Sequence, residues 1–282
     1  MKRLVLLALL CPVFLHAQWH VNLFGGFSNY SGDLQTKAFT TDQSFAAFGA
    51  GVQYDLTNHF SLLSGFNYGK IGAADRFNKV EDQARNLSFQ SKLFEWNLMG
   101  EYNLFDITEK RFTPYVFAGI AIFHFNPYAF DSVNKKVYLQ PLSTEGEGLA
   151  QYPDRKPYNL TQFAIPFGGG IKLRITENVV LAYEIGFRKL FTDYIDDVST
   201  RYVDRTVLLN ARGPKAVEMA YRGDEIKNST STYPADGTKR GSSKFKDWYY
   251  FSGIRVSIAL NNHRSSANMR GRGIIDCPPP KY

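Results

Sequence analysis

The chain has 282 residues, 15 % of them aromatic, and a formal net charge of +7, which fits one large domain or two small ones. Its basic residues are interleaved with Asp and Glu, and so modest an excess argues against a nucleic-acid partner. Beyond the first 17 residues the only cysteine is Cys277, which excludes an internal disulfide framework and a cysteine-built zinc site.

The opening MKRLVLLALLCPVFLHAQ sets Lys2 and Arg3 before an apolar run over residues 4–15 and supplies Ala17 for cleavage, the layout of a secretory signal. The run is shorter than the roughly 20 residues of a spanning helix. Cys11 follows Leu10 where lipoprotein processing wants a small residue, so it is expected to leave with the signal. Losing Lys2 and Arg3 takes the charge from +7 to +5. The expected organisation is a signal over 1–17, a barrel over 18–260 and a tail over 261–282.

No later window is long and apolar enough for a membrane helix, so a membrane-resident form must cross as strands. The period along the chain is indeed two. Strands are predicted around 19–27 and 45–56. Next, Leu62, Ser64, Phe66 and Tyr68 alternate with Leu63, Gly65, Asn67 and Gly69, and Phe94, Trp96, Leu98, Gly100 and Tyr102 alternate with Glu95, Asn97, Met99 and Glu101. The fifth segment, 113–125, is apolar on both parities and its outward face stays unassigned. In the sixth, Phe163, Ile165, Phe167, Ile171 and Leu173 oppose Gln162, Ala164, Gly168, Lys172 and Arg174. The seventh sets Val179, Leu181, Tyr183, Ile185 and Phe187 against Ala182, Glu184 and Arg188, and the eighth sets Tyr250, Ile254, Val256 and Ile258 against Gly253, Arg255 and Ser257.

Connections after even strands are short: TNH at 57–59, FDITEKR at 105–111 and TEN at 176–178. Those after odd strands run to roughly 16, 18, 35 and 55 residues. Sorting of loop length by parity has no reason in a soluble sandwich. It predicts an eight-stranded antiparallel transmembrane β-barrel with short periplasmic turns, long outer loops and both termini in the periplasm. Lipid offers no hydrogen-bond partners, so the sheet must close, and eight strands leave an interior that side chains fill. Glu95, Glu101, Lys172, Arg174, Glu184, Arg188 and Arg255 are predicted to form an inward cluster, with Glu184 and Arg188 neighbours in it, that plugs the lumen rather than serving as an ion path.

The stretch KLFTDYIDDVSTRY, residues 189–202, then falls at the outer end of the seventh strand. Asp193, Asp196 and Asp197 lack the EF-hand order, with no glycine at the sixth loop position and no glutamate at the twelfth. Pairing with Lys189, Arg201 and Arg205 at the root of the loop is expected instead.

The signal ending in Ala-Gln, SNYSGDL at 28–34 and FTDYIDDVST at 191–200 resemble the PorG-like family of small outer-membrane barrels in Bacteroidota, part of the type IX secretion and gliding machinery. The resemblance covers nearly the whole mature chain and carries over no catalytic residue or cofactor. It implies a membrane anchor on which periplasmic ring subunits dock, with outer-membrane lipid as the other partner. The tail is the expected strap for that docking. Arg270 and Arg272 give it charge, Ile274 and Ile275 an apolar anchor, Pro278 to Pro280 an extended form, and Cys277 a thiol for an intermolecular disulfide. Two other readings compete. A structural or surface-interaction barrel would work through its outer loops. A lipid-modifying enzyme would need a base near the outer rim, for which His124 is the candidate.

Overall fold

The computed structural model describes residues 18–260 apart from 36, 38, 39, 41 and 245. The predicted signal (1–17) and the tail (261–282) lie outside the described residues.

Eight long strands close on themselves. These are β1 (Gln18–Ser31), β2 (Phe45–Asp55), β3 (Phe60–Ala74), β4 (Ser88–Asn103), β5 (Phe112–His124), β8 (Thr161–Arg174), β9 (Val179–Leu190) and β10 (Trp248–Ala259). Each pairs antiparallel with its neighbours in chain order, and β1 pairs with β10 from His20·Ala259 to Ser31·Trp248. A short hairpin, β6 (Tyr128–Phe130) and β7 (Lys136–Tyr138), attaches to β4 through Gln90·Tyr128.

The alternation of the sequence becomes an inside and an outside. Outward residues are apolar and uncovered: Phe66 is 68 % exposed, Phe163 65 %, and Phe48 and Val116 60 % each. A band of this kind on every strand is unstable in water, and only a closed sheet satisfies its own backbone in lipid, so the barrel is a membrane-spanning one. Aromatic pairs mark both rims, with Trp19·Tyr54 (centroids 4.8 Å apart) at the short-turn end and Tyr68·Phe94 (5.0 Å) toward the long loops. On β5, whose pattern left the face open, Val116, Ala118, Ile120 and Ile122 point out while Tyr115, Phe117, Ala121 and Phe123 point in.

Strand length departs from expectation at one end. β1 runs on to Ser31, β3 to Ala74, and β4 starts at Ser88. There Ser28, Asn29 and Tyr30, and likewise Ile71, Gly72 and Ala73, are buried in succession. With protein on both faces, the period of two that marks a lipid-facing strand is lost.

The short turns are tied locally: Thr57 Oγ1 accepts from the Phe60 amide (2.9 Å), and Asp106 accepts from the Thr108 amide (2.7 Å). The long loops fold into a cap. It contains α1 (Arg205–Arg212), whose first amides donate to the Asp204 side chain, and α2 (Pro214–Ala220). Leu149, Val203, Leu208, Ala216, Val217 and Ala220 form a core of their own there. Under it, Phe123, Phe125, Tyr158 and Tyr194 stack in series (5.6, 6.1 and 4.9 Å) across the barrel mouth.

Candidate functional site: lumen charges and acid cap

Six of the seven predicted lumen residues come together. Glu95 on β4 accepts from Nε and Nη2 of Arg188 on β9 (2.9 Å each), from the Tyr249 hydroxyl (2.7 Å), and from Asn67 (2.9 Å) and Asn97 (3.0 Å). Toward the short turns, Glu101 bridges Lys172 and Arg255. Arg255 Nε also lies 3.3 Å from Glu184, which accepts from Tyr115 (2.7 Å). Three carboxylates of the predicted cluster thus face three cations. Room for the Arg188 guanidinium comes from Gly186: a Cβ there would sit 2.6 Å from Arg188 Nη1 and 2.9 Å from the Phe117 ring. Asn22, Asn97, Glu184, Arg188 and Arg255 line a void of about 40 Å³, the scale of a water rather than a channel.

Two expectations are corrected. Arg174 shares the inward parity but sits at the strand end, where its Nη1 donates to the Thr108 carbonyl of the turn (2.7 Å). Arg188 pairs with Glu95 rather than with Glu184, because the carboxylate across the lumen takes both Nε and Nη2, the side-on edge of the guanidinium.

Asp193, Asp196 and Asp197 are all buried, and they do not pair with Lys189, Arg201 or Arg205. Those three cations are exposed, Arg201 donating to the Gly237 carbonyl (2.7 Å). Asp193 accepts from the Ser199 hydroxyl (2.7 Å), and Asp196 from the Val198 amide (2.9 Å). Asp197 accepts from Thr144 and Tyr158 (2.6 Å each). The cation that enters this layer is Arg240, which donates to Glu145 Oε1 (3.0 Å) and to the Asp197 carbonyl (2.5 Å). Glu145 in turn holds the amides of Ser199 (2.9 Å) and Thr200 (2.8 Å).

One contact fixes a proton. The Tyr30 hydroxyl oxygen is 2.6 Å from Asp196 Oδ2 and 2.9 Å from Asp247 Oδ1. A phenol has one hydrogen to give, so one of the two acids carries its own and donates back. Burial pushes both carboxyls well up, Asp196 further through Asp33 and Asp247 further through Asp196. Burial also lifts Asp193 to about 7, and burial with the charges of Asp197 and Glu145 lifts Glu147 to about 8. Each acid has its own neutral donors, and among the described residues no group of three His, Cys, Asp or Glu side chains is placed to hold a metal.

Sequence reading missed Glu145, Arg240, Asp247 and Tyr30. The last was within sight: SNYSGDL supplies Tyr30, whose hydroxyl meets Asp196 of FTDYIDDVST (2.6 Å), so the two stretches that carry the family resemblance meet in space. His124 points outward, 3.0 Å from Thr161 Oγ1, and no carboxylate orients its ring among the contacts described. The docking residues Arg270, Arg272, Ile274, Ile275, Cys277 and Pro278 lie outside the described residues.

The sequence profile of a family described as a domain of unknown function (DUF6089) matches residues 2–208, well over half of the chain. The chain belongs to this family. The match ends within α1, so the DUF6089 profile stops short of β10, the strand that closes the barrel. No curated protein matches. Among solved structures, Neisserial surface protein A (NspA) is 10 % identical with a TM-score of 0.42, over 86 % of this chain and 97 % of that one. Ail of Yersinia pestis, in complex with the heparin analogue sucrose octasulfate, is 7 % identical with a TM-score of 0.41, over 87 % and 100 %. OprG from Pseudomonas aeruginosa is 11 % identical with a TM-score of 0.38, over 86 % and 97 %. The assignment of this DUF6089 member as an outer-membrane β-barrel rests on its own strand closure and outward apolar band.

Proposed function

We propose that the protein is a non-catalytic membrane anchor of a type IX secretion machine, with long loops outside the cell, both termini in the periplasm and the tail as docking strap for periplasmic ring subunits. The observation that carries this reading is the filled barrel: a lumen closed by the Glu95–Arg188 and Glu101–Lys172–Arg255 bridges under a stacked aromatic mouth offers no route for a solute. Such a barrel acts through its surfaces. The resemblance of SNYSGDL and FTDYIDDVST to the PorG-like family supports the choice of machine.

The test is capture from crosslinked envelopes. A chain ending at Leu260 is expected to insert normally but to recover no periplasmic ring subunits, and Cys277→Ser to remove any crosslinked band on non-reducing gels. Full recovery by the shortened chain would move docking to the turn around Asp106 and Arg111. Recovery of none by either form would leave the second reading, a surface-interaction barrel, which the separate core of the long-loop cap favours.

A further inference from the structure

Around the long-loop rim, two strands carry lysine where most of their neighbours carry aromatic or neutral side chains. Lys70 on β3 and Lys92 on β4 are direct cross-strand partners, and both belong to the outward series, one step beyond Tyr68 and Phe94. Like charges set opposite each other repel, so the pair calls for an anion from outside the fold. A third ammonium arrives from the β6–β7 hairpin. That hairpin hangs from β4 through Tyr128 at Gln90, two residues above Lys92, and carries the Lys136 ammonium over the Tyr128 ring. Lys136 Nζ sits 3.8 Å from the Tyr128 ring centroid and donates to Tyr138 (3.0 Å), and Lys70 Nζ lies 4.8 Å from the Phe45 ring centroid, so two of the three are held in position. None of the three forms an ion pair with a carboxylate of the described residues. The acid nearest in the hairpin, Asp131, is taken by Lys215 (2.9 Å).

Depth places the cluster. From Phe60, the first outward residue of β3, to Lys70 is ten residues; at ~3.3 Å per residue and a tilt near ~40° the chain climbs about 25 Å, the height of a lipid-facing band. The three ammonium groups therefore stand at headgroup level. Directly below them, toward the bilayer centre, an apolar groove of about 690 Å³ crosses the outer wall between Phe48, Phe66, Tyr68, Phe94, Trp96 and Ile122.

We propose that Lys70, Lys92 and Lys136 with this groove form a binding site for a phosphorylated glycolipid of the lipid A type, its phosphates on the ammonium groups and an acyl chain along the groove. The assignment uses the orientation with long loops outside, which puts this rim in the outer leaflet, and is independent of any secretion role. Charge complementarity selects the headgroup, and the adjoining groove selects a lipid over a soluble phosphate.

The experiment is native mass spectrometry of the full-length barrel in detergent, titrated with bis-phosphorylated lipid A, enzymatically dephosphorylated lipid A, phosphatidylglycerol or phosphatidylethanolamine. Retention of the bis-phosphorylated lipid is expected, well above the other three. Replacing the lysines by serine should weaken it about fivefold for each and on the order of a hundredfold for all three. Lys189→Ser, on β9 across the barrel, should leave it unchanged. Foldedness of each variant is read from heat-modifiable gel mobility, and the dephosphorylated lipid tests the idea on the unaltered chain should a variant fail. Equal retention of dephosphorylated lipid A or phosphatidylglycerol, or equal loss with Lys189→Ser, would overturn the proposal.

Discussion

Glu95 in the lumen and Asp196 in the cap are each 1 % exposed, yet one faces a guanidinium fork and the other a phenol. The barrel wall dictates the difference. In the lumen every inward position is fixed by strand register, so a cation on β9 can be aimed across at β4, and three carboxylates find three cations. In the cap the acids sit on irregular chain, surrounded by hydroxyls and turn amides, and Arg240 is the cation that reaches Glu145 and Asp197. Neutral donors satisfy a carboxyl without stabilising its charge as a cation does. The lumen therefore sets carboxylates against cations, while the cap sets Asp193 and Asp196 against neutral donors.

Arg188→Leu makes the lumen resemble the cap. It leaves Glu95 with Tyr249, Asn67 and Asn97 alone and should cost roughly 3 to 5 kcal/mol, because an unpaired charge remains buried. Urea unfolding in lipid vesicles measures this, and adding Glu95→Gln should recover most of the loss. A cost below about 1 kcal/mol, the range of a solvated pair, would mean that water reaches Glu95 and that lumen and cap do not differ in kind.

How much of this was legible follows the same division. Alternation of Phe94, Trp96 and Leu98 with Glu95, Asn97 and Met99 gave the two faces of β4, and loop length by parity gave the closure. Partner choice was not legible, since Glu95 and Arg188 are 93 residues apart and register alone joins them. Arg174 shows the limit of parity: it has the right face but the wrong depth. In the cap, Arg240 sits in KRGSSK, a polar stretch without period that reads as solvated loop, and burial there comes from packing that no local pattern encodes.

The cap should also respond to pH in the sense opposite to ordinary acid lability. A carboxyl whose folded pKa is raised is protonated in the folded state while already ionised in the unfolded one, so stability falls as pH climbs between the two values. For Asp193 that window ends at about 7 and for Glu147 at about 8, starting from the ordinary carboxylate range. Protease added to intact cells should therefore cut the cap more slowly at pH 5.5 than at pH 8.5, first near the exposed hairpin tip at Val133. The barrel, measured by its unfolding over the same range, should change far less. Faster cutting at the lower pH would place the cap acids in the ionised state and erase the contrast with the lumen.

The smallest effect belongs to a side chain in neither region. His124 ends β5 on the outer wall, exposed, with Thr161 as its hydrogen-bond partner. It faces away from Glu95 and from the acid layer, and among the described contacts no carboxylate orients its ring toward the Thr161 hydroxyl, the third group that a His-activated nucleophile requires. Replacing it removes one exposed hydrogen bond. His124→Ala is expected to shift stability by no more than about 0.5 kcal/mol and to leave the acylation pattern of envelope lipids, read by mass spectrometry, as it was. An altered lipid pattern in that variant, with the barrel still folded, would make the wall rather than the lumen or the cap the working surface and would restore the enzyme reading.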